Sequence, residues 1–393
     1  MRFNAIINYN MQNLLRIIKN NIAFISIAVF SFSISFDPDW NSKGLIFLII
    51  VSIANIKYKK EYLQNTYMLV LLITILYITI NMIASKSYTG FSSYTTPALS
   101  ILFYLLFTQT KIKFDLKSIT TFLTLGVFIV GVLNLVVFFT NFTANLNFID
   151  AWYTTTVFDI HKTYYGSLLN ISFLLLLYLN VQKRVTSTPI FIVAPIFLIL
   201  LGFSGSVTNS FIFIVLIVLF VLYKYLPRLY SFTFLFLLGG QLLIILALST
   251  SFGGQLFNAV DGDESRIRNF KVNTLVMKQA PFFGYGIGNE LDTIQSFRKK
   301  TSWEYINKYN AHNQFFQYTI GGGVFYLLLC LFPLLYINIK NKTLNRNLFA
   351  NGLTLIFCYI FMIESFLVRH HGQIMFSFFV TLIAYKINFD KHK

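Results

Sequence analysis

Twelve apolar runs follow one another along this chain, near residues 20–36, 44–56, 66–84, 97–110, 118–140, 164–181, 189–204, 207–225, 231–250, 315–337, 348–368 and 371–386. Repeated runs of about 18 or more apolar residues read as membrane-crossing helices. Several of these runs are shorter, so tilt or interfacial anchoring must make up the span. Composition agrees: only 11% of the 393 residues are charged, against about 25% in soluble domains. Mean hydropathy is +0.66. The 45 Phe and 23 Tyr suit lipid and its interface. The predicted fold is therefore all-α: one integral membrane domain over 1–393, polytopic, with about 12 transmembrane helices.

The net charge of +17 would point to nucleic acid in a soluble protein, but most of the excess here lies in short loops. An even number of spans puts both termini on one side. If that side is cytoplasmic, its short segments hold 19 of the 31 Lys and Arg. The short outer segments hold 4, namely Lys43, Lys86, Lys162 and Arg369, and one long polar segment holds the other 8. Short cytoplasmic loops carry such an excess, so the sequence predicts cytoplasmic termini and places residues 251–313 outside the cytoplasm. Arg2, Arg16 and Lys19 precede a first run without a small-residue cleavage site, which reads as an uncleaved span. Cys330 and Cys358 both fall in apolar runs, so neither a disulfide framework nor zinc spacing is present. No internal repeat suggests the two halves of a repeat-built transporter.

Residues 251–313 are the only long polar stretch and hold 6 of the 14 Asp and Glu. They open on Asp261-Gly-Asp-Glu-Ser-Arg-Ile-Arg268, where residues 265–280 read as an amphipathic helix with Asp263 or Ser265 at its N-cap. Its first turn presents Arg266 and Arg268, which can grip phosphate oxygens or simply be surface arginines. Gly284-Tyr-Gly-Ile-Gly288 follows Pro281 and reads as a turn back toward the membrane; it fits no nucleotide-binding pattern. The segment ends on Asn310-Ala-His-Asn-Gln314. There His312 is either a general base or a structural histidine at a polar–apolar boundary.

Four shorter features carry chemistry or its absence. Asp37-Pro-Asp39-Trp40 can hold a divalent metal with a phosphate, or be a solvated turn. His161 and Lys162, next to Asp159, can contact phosphate or sugar, or anchor the chain at the interface. The small, polar residues Gly202 to Ser210 join two spans and suit close helix packing. Glu364, read as lying inside a span, is costly there and so a functional candidate or half of an interhelix ion pair. Arg369 and His371 follow it.

In this order the motifs resemble the O-antigen ligase/polymerase family over roughly residues 155–380. The resemblance rests on Ser265-Arg266, the aromatic Phe270, Pro281-Phe-Phe-Gly-Tyr-Gly-Ile-Gly288, Asn310-Ala-His-Asn313 and the run Gly321-Gly-Gly323. His161-Lys-Thr-Tyr-Tyr-Gly166 is similar to the family's H-P-x-Y motif, and Glu364 to Phe379 to a segment E-x-x-L-x-R-Q-x-G of some members. The resemblance implies a GT-C-like glycosyltransferase of the bacterial inner membrane with a periplasmic active site. Its donor would be an undecaprenyl-diphosphate-linked oligosaccharide, and its partners membrane lipid and a chain-length regulator. It implies no cofactor, no metal and no nucleic acid. His312 would be the essential histidine. Arg266, Arg268, Arg369, His161, Asn313 and Glu364 would bind diphosphate or glycan. The family's arginine after Ser206 is missing, because Val207 stands there. The resemblance leaves open polymerase and ligase; the rival from a different class is a lipid-linked oligosaccharide flippase, against which the nearly charge-free spans and the charged outer loop weigh. Polymerase is the preferred expectation.

Overall fold

The structure is a computed structural model. It describes residues 21–58, 65–143, 157–158, 160–248, 264–339 and 347–389. Side chains of residues 242–248, 264–266 and 388–389 lie outside that description, as do Asp159 and the whole of 249–263. Every apolar run falls on a helix. In chain order these are α1 (Asn21–Ser33), α2 (Pro38–Ile53), α3 (Thr66–Ser85), α4 (Thr95–Thr108), α5 (Leu116–Thr143), α6 (Lys162–Val181), α7 (Thr188–Ser204), α8 (Val207–Tyr225) and α9 (Pro227–Leu248). The polar segment contributes α10 (Glu264–Gln279), α11 (Glu290–Ser296) and α12 (Trp303–Ile306). Then come α13 (Gln314–Ile339), α14 (Leu348–Ile363) and α15 (His370–Phe389). Among the described residues there is no strand beyond a single bridge between Ile56 and Thr110. Helices α3, α5, α6, α8 and α13 are long and apolar enough to cross a membrane. In lipid a helix satisfies its own backbone, and the chain is an all-α polytopic membrane protein.

The residues divide into two compact units. The first comprises Met1–Tyr62 and Leu105–Val207. Its centre is α6, buried along nearly its whole length and packed between α5 and α7. Close approach is set by Gly126, where a Cβ would strike the Phe32 carbonyl, and by Gly131, where it would strike Leu200 and the Tyr165 hydroxyl. His161 caps α6, its Nδ1 accepting the Thr163 N–H at 3.4 Å. Asp37 caps α2, its Oδ1 accepting the Trp40 N–H at 2.9 Å, so the acidic pair opens a helix. Gly205, at φ 64, closes α7, and Val207 stands 83% exposed at the start of α8. A Cβ on Gly202 would meet nothing within 4 Å, so close packing, the role expected of this turn, is not what that glycine provides.

The second unit comprises Leu63–Tyr104 and Thr208–Lys393, and α13 is its axis, packed on α3, α14, α15 and α10. Helix α13 is broken at Gly323, whose φ of 72 and ψ of −174 are non-helical. A Cβ there would collide with the Phe282 carbonyl. The break frees carbonyls, and the glycine turn takes them: the N–H groups of Tyr285 and Gly286 donate to the carbonyls of Ile320 and Gly321, each at 2.8 Å. The Tyr77 hydroxyl donates to the Gly322 carbonyl at 2.6 Å. Asn81 of α3 holds the turn's other edge, Nδ2 donating to the Phe283 carbonyl (3.0 Å) and Oδ1 accepting the Ile287 N–H (2.8 Å). The expected span 348–368 is corrected here: helix α14 stops at Ile363, Glu364 is extended (φ −146, ψ 143), and a 3-10 turn runs Phe366–Val368. Glu364 thus sits at a break between helices, where its backbone is free to aim the carboxylate sideways.

Candidate functional site

The polar segment builds a small lobe around its own core. Helix α10 buries Asn269, Asn273 and Val276, spaced three and four residues apart on one face. Val276 joins Ile294, Ala311, Phe316 and Ile320, with Phe270 packed against them. The Phe270 and Phe316 rings lie 5.1 Å apart, so two motifs far apart in sequence meet in this core. Ala311 is 2% exposed, which explains a small apolar residue beside the histidine.

The backbone turns sharply from Tyr309 to Asn313. The Tyr309 carbonyl accepts from Arg298 Nη1. Asn269 Nδ2 donates to the carbonyls of Asn310 and Ala311, each at 3.0 Å, and Asn273 Nδ2 donates to Ala311 at 2.8 Å. His312 follows in the left-handed region, φ 46, with its N–H donated to Asn310 Oδ1 at 2.9 Å. That conformation costs a non-glycine residue about 1–2 kcal/mol, and the buried amides supply the restraint that maintains it. The imidazole stacks on Tyr309, centroids 4.0 Å apart. Its Nδ1 lies 3.3 Å from Glu364 Oε2, with side-chain exposures of 21% and 6%. The two atoms are close but not aligned as a hydrogen bond. Facing a carboxylate with Nδ1 leaves Nε2 as the nitrogen for other work.

Asn313 brings this pair together. Its Oδ1 accepts the Phe316 N–H (3.0 Å), starting α13, while Nδ2 donates to the Met362 carbonyl (2.9 Å), two residues before Glu364. Both ends of its amide are committed to protein and it is 7% exposed. In this structure those bonds tie the start of α13 to the end of α14. Gln314 Oε1 accepts the Leu367 N–H at 2.7 Å, fixing the turn after Glu364. Gly372 is where it is because a Cβ would strike the Phe366 carbonyl.

The cations fall in different places. Arg266 stands on the first turn of α10, and its side chain lies outside the described residues. Arg268 is half exposed and its Nε donates to Glu304 Oε1 at 2.9 Å. Arg369 is exposed at the end of the turn that begins with Glu364. His161 belongs to the first unit and is exposed at its helix cap. The structure therefore joins His312, Glu364 and Asn313 directly and places Arg369 on the same short turn as Glu364.

Sequence reasoning missed Arg298, Asn269, Asn273, Glu304 and Glu290. Burial pushes the Arg298 guanidinium below its ordinary pKa. The Glu290 carboxyl is buried beside Gly321, and burial pushes its pKa up to about 7 against the pull of the Gly288 N–H, which donates to Oε2 at 3.0 Å. The one available signal was the Asn pair four residues apart on a loop helix. Among the described residues no cluster of three metal-binding side chains occurs.

Residues 190–331 match a family model described as O-antigen ligase. The match runs from α7 into α13 and includes Arg266, Arg268, the glycine turn and His312; Glu364, Arg369 and His161 lie beyond it. A comparison with curated proteins returned no match.

Proposed function

We propose that this chain, which matches the O-antigen ligase family model over residues 190–331, is a glycosyltransferase that polymerises undecaprenyl-diphosphate-linked repeat units at the periplasmic face of the bacterial inner membrane, with both termini cytoplasmic. The observation that carries the reading is His312, held in a left-handed corner with its Nδ1 3.3 Å from a buried carboxylate and its ring still partly exposed. That arrangement suits a general base acting through Nε2.

In this mechanism His312 Nε2 takes the proton of the acceptor hydroxyl. The hydroxyl oxygen bonds to the donor's anomeric carbon from the side opposite the diphosphate, which inverts the configuration. The bond from that carbon to the diphosphate oxygen breaks, and its electron pair leaves with the lipid diphosphate. Arg266, Arg268 and Arg369 stabilise the charge that develops there. Glu364 steadies the imidazolium once the proton has moved. No metal takes part, and Asp37 serves as a helix cap. A chain-length regulator would act from outside the chemistry.

The description of the matched family favours a second reading, transfer of the finished glycan to lipid A core by a ligase. One experiment separates the two and tests both. Surface polysaccharide is resolved as a ladder from cells lacking the gene, complemented with wild type or His312→Ala. Single repeat units on lipid A core identify a polymerase. Bare core with long chains accumulating on the carrier lipid identifies a ligase. Rescue by His312→Ala equal to wild type would sink the catalytic assignment and reopen a transporter role.

A further inference from the structure

We infer that Arg298 is a positioning residue for the catalytic corner: its buried guanidinium gathers three separate stretches of the lobe and sets the backbone that presents His312. The inference rests on the reading of His312 as the general base. Arg298 follows α11 on a bend and is only 7% exposed. Its Nη1 donates to the carbonyls of Glu304, at 3.2 Å, and Tyr309, and its Nη2 donates to Asn269 Oδ1. Asn269 relays the hold, since its own Nδ2 reaches the next two carbonyls, Asn310 and Ala311.

The geometry explains why arginine stands there. Three successive carbonyls, 309 to 311, accept from buried side chains, and the residue immediately after them is the left-handed His312. Buried donors thus fix the path of the backbone right up to the left-handed residue. A planar guanidinium reaches two carbonyls and an amide oxygen at fixed angles, whereas a lysine ammonium is a point charge on a flexible stem. Burying a cation is unfavourable unless it is hydrogen-bonded, and Glu304, itself 3% exposed, supplies both a carbonyl and nearby negative charge. Glu304 also takes Arg268, so the same acid links α10, α12 and the bend after α11. Tyr309, held by its carbonyl, provides the ring on which His312 stacks. Arg298 thus acts on the imidazole through backbone and through Tyr309, with no contact of its own to the reacting atoms.

The test uses full-length protein in detergent with undecaprenyl-diphosphate-linked oligosaccharide extracted from cells lacking the gene. Transfer kinetics are measured for Arg298→Ala, Arg298→Lys and Asn269→Asp. In parallel, the rate of His312 modification by diethyl pyrocarbonate, read by mass spectrometry, reports the exposure of the ring without needing activity. Asn269→Asp keeps an acceptor for Arg298 and loses the two bonds to residues 310 and 311, so it tests the relay even where Arg298→Ala fails to fold. The expected result is a fall in kcat of about 10²-fold in Arg298→Ala and Asn269→Asp, the scale of a small misplacement of a catalytic group. The donor KM stays within about 3-fold, because binding is not what is lost. His312 is modified faster in both, and Arg298→Lys recovers only part of the rate. An unchanged kcat with unchanged His312 modification overturns the proposal. A raised KM at constant kcat also overturns it, by making Arg298 a donor-binding group. Full transfer by His312→Ala, run alongside, would instead remove the catalytic reading, while faster His312 modification in Arg298→Ala would still uphold the structural hold on the corner.

Discussion

Two stretches of irregular backbone sit at the lobe end of α13, and they solve the same steric problem in opposite ways. The turn from Gly284 to Gly288 places glycine at each of its left-handed positions, with φ of 75, 109 and 100. The corner before α13 puts Lys308 (φ 47) and His312 (φ 46) in that region instead. Glycine enters it without steric penalty, whereas other residues lose about 1–2 kcal/mol each. The turn needs only a backbone path, because it inserts between α3 and the break in α13. The corner needs a side chain at the strained point, and buried donors from Arg298, Asn269 and Asn273 hold it there. Lys308 shows that such strain does not by itself mark chemistry; at His312 it coincides with a partly exposed imidazole beside a buried carboxylate, and there it points to function.

The largest effect that would break this contrast is on activity. His312→Ala is expected to lower transfer about 10²–10⁴-fold while leaving the amount of folded protein in the membrane at the wild-type level. A matching drop in folded protein would make the corner structural. The converse belongs to the glycine side. Gly323→Ala is expected to destabilise the second unit by about 4 kcal/mol, combining left-handed strain with a collision on the Phe282 carbonyl. It should show as lost folded protein by size-exclusion chromatography in detergent.

Glu290 sharpens the turn's structural character through pH. Its folded pKa of about 7 lies above the ordinary 4.5. A carboxyl raised in this way favours the folded state fully below about 4.5, and that advantage is lost as pH rises through about 7. The difference amounts to about 3 kcal/mol. Thermal melts should therefore show wild type less stable at pH 8 than at pH 5, and Glu290→Gln should flatten that dependence and raise stability at pH 8. An identical slope in the variant would remove Glu290 as its source.

Glu364→Gln is a smaller test of the corner. It keeps the shape and removes the charge 3.3 Å from His312 Nδ1. The expected loss of kcat is on the order of 10-fold, with donor KM unchanged, as for a group that steadies the base without touching the donor. A change confined to KM would move Glu364 into glycan binding.

What was legible in the sequence follows from range. The helices were, because an apolar run and its Pro, Gly or Asn boundary are neighbours in the chain; Asp37 and Asn347 both sit at N-caps. The order of the motifs was legible too, and with it the place of His312 just before α13. The end of α14 was not, because Phe366, Leu367 and Val368 continue the apolar run past Glu364 although the helix does not. Arg298 was invisible because its partners Asn269 and Tyr309 lie 29 and 11 residues away and its type is common in loops. The capping role of Asn313 was open to the sequence as well, because an amide stands just where α13 begins.

The smallest effect tests whether the break in α13 is structural alone. Tyr77 donates its hydroxyl to the Gly322 carbonyl, one of those released by the break, at 2.6 Å. Its ring meets Phe325 edge-on at 5.2 Å and Tyr326 in a stack at 6.1 Å. Phenylalanine would keep both ring contacts, so Tyr77→Phe isolates the hydrogen bond. A carbonyl left without a donor in a poorly hydrated place costs about 1–3 kcal/mol, and relaxation of the nearby turn would bring that to the lower end. The expected outcome is a melting temperature a few degrees below wild type with transfer per folded molecule unchanged. Transfer lost at wild-type stability would mean that the break moves or gates during the reaction. The glycine turn would then share the chemistry assigned to the histidine corner, and the contrast between the two would fail.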